Sequence, residues 1–151
     1  MLFAITVLHG ILGVALIAAL GWTALKLAGL SKWGSTSGAA WASLVSALLL
    51  NITGAYSYIS YRLRDPGTPR SIILETEPWV HRILFESMEY VGLIIPILIA
   101  VVTAAIVISG KQSLETASPR GPISRLVYIT IFLVFLMAIA GFIPSSIAIV
   151  K

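Results

Sequence analysis

The chain of 151 residues contains no cysteine. Disulfides, Cys-ligated zinc, iron–sulfur clusters and covalently attached c-type haem are therefore excluded within it. Charge is also scarce: 11% of the residues are charged and 58% are hydrophobic. A soluble domain normally carries about a quarter charged residues. Too few polar groups are present to cover a water-facing surface, so the solvent around most of this chain must be lipid. The mean hydropathy of +1.00 says the same. The net charge of +4 does not point to nucleic acid, because the ten Lys and Arg lie mostly between apolar segments or at their ends. Snorkelling and headgroup contact account for them. No basic groove with interleaved aromatics is present, and no hydrolase or metalloprotease motif.

What is present is apolar length. A helix needs about 20 apolar residues to cross a bilayer. Four stretches supply them, at about 2–25, 39–61, 78–110 and 126–149. The first lacks a basic leading region and a small-residue cleavage site, so it reads as a retained span rather than a signal peptide. The expected fold is all-α, an integral membrane four-helix bundle forming one transmembrane domain over 1–151. The apolar Ile72–Leu74 stretch is expected to lie along the interface. Pro96 predicts a kink in the third span, and Gly141 with Pro144 a bend or end in the fourth.

Four spans put the N-terminus, the 62–77 loop and the C-terminus on one side. That side carries Arg62, Arg64, Arg70, Arg82 and Lys151; the other carries Lys26, Lys32, Lys111, Arg120 and Arg125. The balance is even, so the positive-inside rule does not choose an orientation. Asp65, Glu75 and Glu77 lean it towards an N-terminus outside the cell membrane.

Ionisable groups within membrane helices cost about 2.5–3.5 kcal/mol on insertion scales, so those present are functional candidates. They are His9, His81, Arg82, Glu86 and Glu89. Gly13 lies one turn below His9 on the same face, leaving room for a flat group or a close helix. Glu77 and Pro78 suit a helix start just before His81. On a regular helix, Arg82, Glu86 and Glu89 share one stripe beside the His81 face. The second span offers Ser43, Ala47, Leu50, Gly54 and Tyr61 on one stripe, with Ser57 and Tyr58 close by. Gly54 falls near the depth of His9. Each feature also has a plain structural reading. The histidines would bond across helix interfaces, Arg82 would neutralise the carboxylates, and the small residues would be helix contacts. Asn51, deep in the second span, is expected to glue two helices together.

Two histidines on one side of such a bundle can place their imidazoles on opposite faces of a haem b. Arg62, Arg64, Arg70 and Arg82 are on that side to meet its propionates. Gly13, Gly54 and Tyr58 would then lie against the ring, with Glu86 and Glu89 handling protons or a quinone.

Leu8-His9-Gly10 in the first span, Tyr61-Arg62 ending the second and His81-Arg82 opening the third resemble small bacterial four-helix membrane proteins linked to cytochrome oxidase assembly. The layout is also similar to compact membrane b-type cytochromes. The assembly family carries further histidines near the end of its second span and before its fourth. Here Tyr58 and Tyr61, then Ser124 and Arg125, stand in those regions. The resemblance implies an electron-transfer subunit with His9 and His81 as haem-iron ligands, exchanging electrons with quinone or a respiratory complex. Two other readings stand beside it. One is a cofactor-free accessory or assembly subunit among other membrane subunits of a respiratory complex. The other is a small proton or solute transporter using Glu86 and Glu89. An electron-transfer or accessory subunit fits better than an enzyme acting alone.

Overall fold

A computed structural model of the chain describes residues 2–31, 34–62, 68–114 and 117–149. Lys32, Arg64, Asp65 and Lys151, named above, lie outside the described residues, as do the side chains of Lys111 and Pro144. The helices are α1 (Leu2–Leu27), α2 (Thr36–Tyr61), α3 (Pro69–Thr76), α4 (Glu86–Leu114) and α5 (Ala117–Ile149). A π-helical segment, Val80–Phe85, leads into α4. Among the described residues there is no strand.

Four helices are long and apolar enough to cross a membrane: Ala4–Leu27, Thr36–Ile59, Val80–Gly110 and Arg120–Ile143. Their outward faces are apolar too, with Ile108 84% and Phe142 74% exposed. A helix that is hydrophobic all round needs lipid on the side its neighbours do not cover. The chain is therefore a multi-pass membrane bundle, as its composition demands.

Local chemistry sets the ends. Leu30 N–H reaches back to the Leu25 carbonyl at 2.9 Å and Gly29 N–H to Lys26 at 3.1 Å, closing α1. This Schellman-type turn needs a left-handed residue, and Gly29 supplies it at φ +75°. The Ser35 hydroxyl accepts the Gly38 N–H at 2.9 Å and caps α2. The cap starts α2 at Thr36, three residues before the expected 39. Replacing Ser35 by alanine is expected to cost about 1 kcal/mol, read as a lower midpoint for thermal unfolding in detergent. α5 also starts earlier than expected, at Ala117, and runs through Pro122. Pro119 lies in its first turn, where a backbone N–H has no helical acceptor anyway.

The α4 backbone departs from helical geometry at Gly110 (φ 66°, ψ 170°), and Pro96 lies inside the helix. α5 stays helical through Gly141 and Pro144 to Ile149. Asn51 donates to the Ala47 carbonyl of its own helix at 3.1 Å, so its amide is satisfied within α2.

α2 packs on α1 and α4, and α5 packs on the same two, closing a ring in the order α1, α2, α4, α5. α1 and α4 are thus diagonal. The middle layer is Leu16 and Leu20 of α1, Ala47 of α2, Ile95 and Ile99 of α4, and Val134 of α5. A second apolar layer of Leu27, Ala40, Val102, Ile106, Ile123 and Val127 fills one end. Short hydroxyl rungs tie it together: Thr23 meets Ser43 at 3.3 Å, and the Thr103 hydroxyl, which donates to Ile99 at 2.8 Å, lies 3.2 Å from the Ala40 carbonyl. Small residues and hydroxyls let membrane helices approach closely.

The opposite end is closed by α3, which packs on α5 and the π-helical segment. Ile73 is 1% exposed there. The 72–74 stretch therefore plugs the bundle end through Ile73, rather than only lying along the interface.

Candidate functional site

The polar residues gather on the last three turns of α2. Thr53, Gly54, Ser57, Tyr58 and Tyr61 recur at steps of three and four and so occupy neighbouring stripes of one helix. His9 of α1, Arg70 of α3, His81 and Phe85 of the π-helical segment, and Glu89 of α4 meet this surface.

The deeper contact is His9. Its Nδ1 lies 3.0 Å from the Thr53 hydroxyl oxygen. That hydroxyl donates into its own helix, to the carbonyls of Leu49 and Leu50 at 3.1 and 3.0 Å. A hydroxyl has one hydrogen to give. With it on the backbone, His9 Nδ1 carries the proton and donates to Thr53. The ring lies over Gly54, where a β-carbon would come within 3.0 Å of Cε1. Sequence placed His9 and Gly54 at one depth, and they touch. The space that glycine leaves is taken by the imidazole itself. Gly13, one turn along α1, faces Leu50 at ordinary contact distance, 4.0 Å from its β-carbon position.

Nearer the surface, His81 is 8% exposed. Its Nδ1 is 3.0 Å from the Tyr61 hydroxyl. Tyr61 stacks on Phe85 with centroids 4.0 Å apart and planes 8° from parallel. The π-helical turn shapes this pocket wall: Glu86 N–H donates to the His81 carbonyl five residues back, as well as to Ile83. Such single π turns are frequent at functional sites. Arg70 bears electrostatically on both Tyr61 and His81.

The third group joins α2 to α4. Tyr58 donates to the Glu89 carboxylate, and Arg62 Nε donates to the Tyr58 hydroxyl. Arg62 also pairs with Glu89 at 3.3 Å. The guanidinium sits 5.0 Å from the Tyr58 ring centroid. Arg62 is 57% exposed and Glu89 33%, so this is a pair at the rim of the bundle. The expected neutralisation of the carboxylates by Arg82 does not occur. The π turn inserts a residue into the helical register, and Arg82 and Glu86 both point outwards. Glu89 finds its counter-charge on α2 instead.

The structure thus brings Tyr58, Arg62 and Glu89 together, and separately His9 with Gly54. It does not bring His9 and His81 to one another. They contact α2 at Thr53/Gly54 and at Tyr61, about 10 Å apart along its axis. They also belong to elements on diagonal sides of the ring. Each imidazole is instead engaged with its own α2 partner, Thr53 for His9 and Tyr61 for His81. Thr53, Phe85 and the π turn were not found from sequence. Phe85 lies one helical turn after His81, a spacing that carried the signal; Thr53, 44 residues from His9, left none.

What the structure defines is a class: a small all-α membrane helical bundle, with ionisable side chains gathered at the His81 end. Comparison with protein-family models, curated proteins and solved structures found no match.

Proposed function

We propose that this protein is a membrane subunit that exchanges protons for a quinone-linked electron-transfer complex, at the end formed by Tyr58, Tyr61, Arg62, His81 and Glu89. One observation carries the reading. An imidazole, two phenols, a guanidinium and a carboxylate from α2, the π-helical segment and α4 make paired hydrogen bonds at one end of the bundle. Intramembrane ionisable groups of this kind mark proton and substrate pathways.

The chemistry suits a quinone. Its ring is apolar, its two carbonyl oxygens accept hydrogen bonds, and its tail stays in lipid. Reduction to the quinol takes up two electrons and two protons. The electrons come from the redox centre of a partner membrane subunit. The protons come from water at the membrane surface and are relayed by His81. With Tyr61 donating to His81 Nδ1, the neutral imidazole is left with its Nε2–H as the donor for a quinone carbonyl; the Tyr61–Phe85 stack is an apolar wall for the ring. In this reading the polar end faces the outside of the cell membrane, with the N-terminus. The middle layer of Leu16, Leu20, Ala47, Ile95, Ile99 and Val134 offers no polar continuation. It favours surface exchange over transport across the bilayer.

A titration tests this. Short-chain ubiquinone and naphthoquinone analogues are added to the full chain in nanodiscs, and tryptophan fluorescence is followed. Trp79, held by Glu77 at 2.7 Å beside His81, is the reporter, and a Trp79→Phe variant confirms it. Saturable quenching is expected, weakened about tenfold in Tyr61→Phe for one lost hydrogen bond. Linear quenching that is identical in both proteins contradicts the proposal.

A further inference from the structure

Ser57 lies on α2 between the two histidine contacts. Its hydroxyl oxygen is buried and has no hydrogen-bond partner in the protein. The buried hydroxyls elsewhere close onto their own helix. Thr23, Ser43, Thr103 and Thr130 donate to Ala19, Ala39, Ile99 and Leu126, each four residues back. Ser57 makes no such bond, although its own helix offers the same kind of carbonyl. A buried hydroxyl left in this condition is costly, and such groups are commonly held by internal water.

Its neighbours say what that water would connect. Thr53, Ser57 and Tyr61 recur every four residues, so they form one slowly winding row on α2, each step about 6 Å along the axis. The inner end of the row is the Thr53–His9 contact, and the outer end is the Tyr61–His81 contact. Neither step is closed by a direct hydrogen bond to Ser57, and water that bonds on both sides links polar groups across such gaps. Gly54 adds no side chain of its own beside the row.

We infer that Ser57 holds buried water, one molecule in each step of the row, that joins the two histidine pairs into one hydrogen-bonded row, reaching from the membrane surface to the depth of His9. The inference rests on the reading of the Tyr61–His81 end as the surface-exchanging site, and deepens it. The row is blind. Beyond His9 the interior is the apolar layer of Leu16, Leu20 and Ala47, so water and protons reach His9 from one side only. Ser57 is a positioning residue in this row, acting through the water it holds.

The test is hydrogen–deuterium exchange at the imidazole Cε1 positions, read separately for His9 and His81 by peptide mass spectrometry on the full chain in nanodiscs. His9 is expected to exchange in the native protein despite its depth. Ser57→Val removes the hydroxyl and fills the water position; it slows His9 by about tenfold and leaves His81 unchanged. Ser57→Thr has the same bulk and keeps the hydroxyl, and it retains exchange at His9. Absence of exchange at His9 in the native protein overturns the inference, whether or not Ser57→Val folds. Equal slowing in Ser57→Thr and Ser57→Val overturns it as well, because bulk and not the hydroxyl is then responsible. The measurement uses no quinone, so its failure and a failure of the quinone reading are separately visible.

Discussion

Gly54→Leu lowers the stability of the bundle more than the loss of any single helix cap. A β-carbon at Gly54 already falls 3.0 Å from His9 Cε1, inside normal contact. Alanine is accommodated by a small tilt of the imidazole. Leucine adds three further carbons where the ring now lies, so His9 must leave Thr53 or α1 must move off α2. Overpacking of this kind costs about 1–3 kcal/mol, and the lost Thr53 bond adds about 1 kcal/mol. Denaturation in mixed micelles should show the whole effect. Truncating the obstacle should relieve it: in a His9→Ala background, Gly54→Leu costs little. This cycle isolates the contact between the two residues. Gly13→Ala is the control, since its β-carbon meets only Leu50 at 4.0 Å.

His81→Ala abolishes the saturable quinone response, while His9→Ala leaves it unchanged. The asymmetry follows from geometry. His81 is paired with Tyr61 at the surface end, within the Tyr61–Phe85 aromatic group. Its removal takes away one partner for a quinone carbonyl and leaves the Tyr61 hydroxyl without its acceptor. Losing one bond and orphaning the other group together cost about 2–3 kcal/mol, or about 100-fold in affinity. His9 is about 10 Å deeper along α2 and makes no contact with that group. Two histidines that served one cofactor would instead behave alike in every assay. The titration described for Tyr61→Phe reads both variants. Thermal unfolding of His9→Ala, expected to be modestly lowered, confirms that the variant was altered but folded.

How these residues come together was partly legible in the sequence. The four spans follow from apolar length and charge scarcity, which are counted directly. The depth match of His9 with Gly54 follows from helix rise alone, because both lie in straight spans whose ends the composition marks. The partners of Glu89 were not legible. A regular helix puts Arg82, Glu86 and Glu89 on one stripe, and that expectation fails at the π turn of 80–85. The extra residue in the turn shifts Arg82 relative to Glu89, and Arg62 takes the place expected of Arg82. Sequence periodicity assumes one helical pitch, so it has no means of registering a change in it. The burial of Ile73 was hidden for a related reason. A short helix that plugs a bundle end has the same composition as one that lies on the interface, and only the packing against α5 separates them. At Pro144 the local signal for an end is overridden, and α5 runs on to Ile149.

The central claim is that the surface histidine, and not the pair of histidines, serves the ligand at this end. Nitrogen NMR of selectively 15N-histidine-labelled protein in nanodiscs tests it most directly, since the chain holds two histidines and each gives its own ring signals. Saturating short-chain quinone should shift the His81 ring nitrogens and leave those of His9 in place. Unchanged spectra, or equal shifts at His9 and His81, would contradict the account.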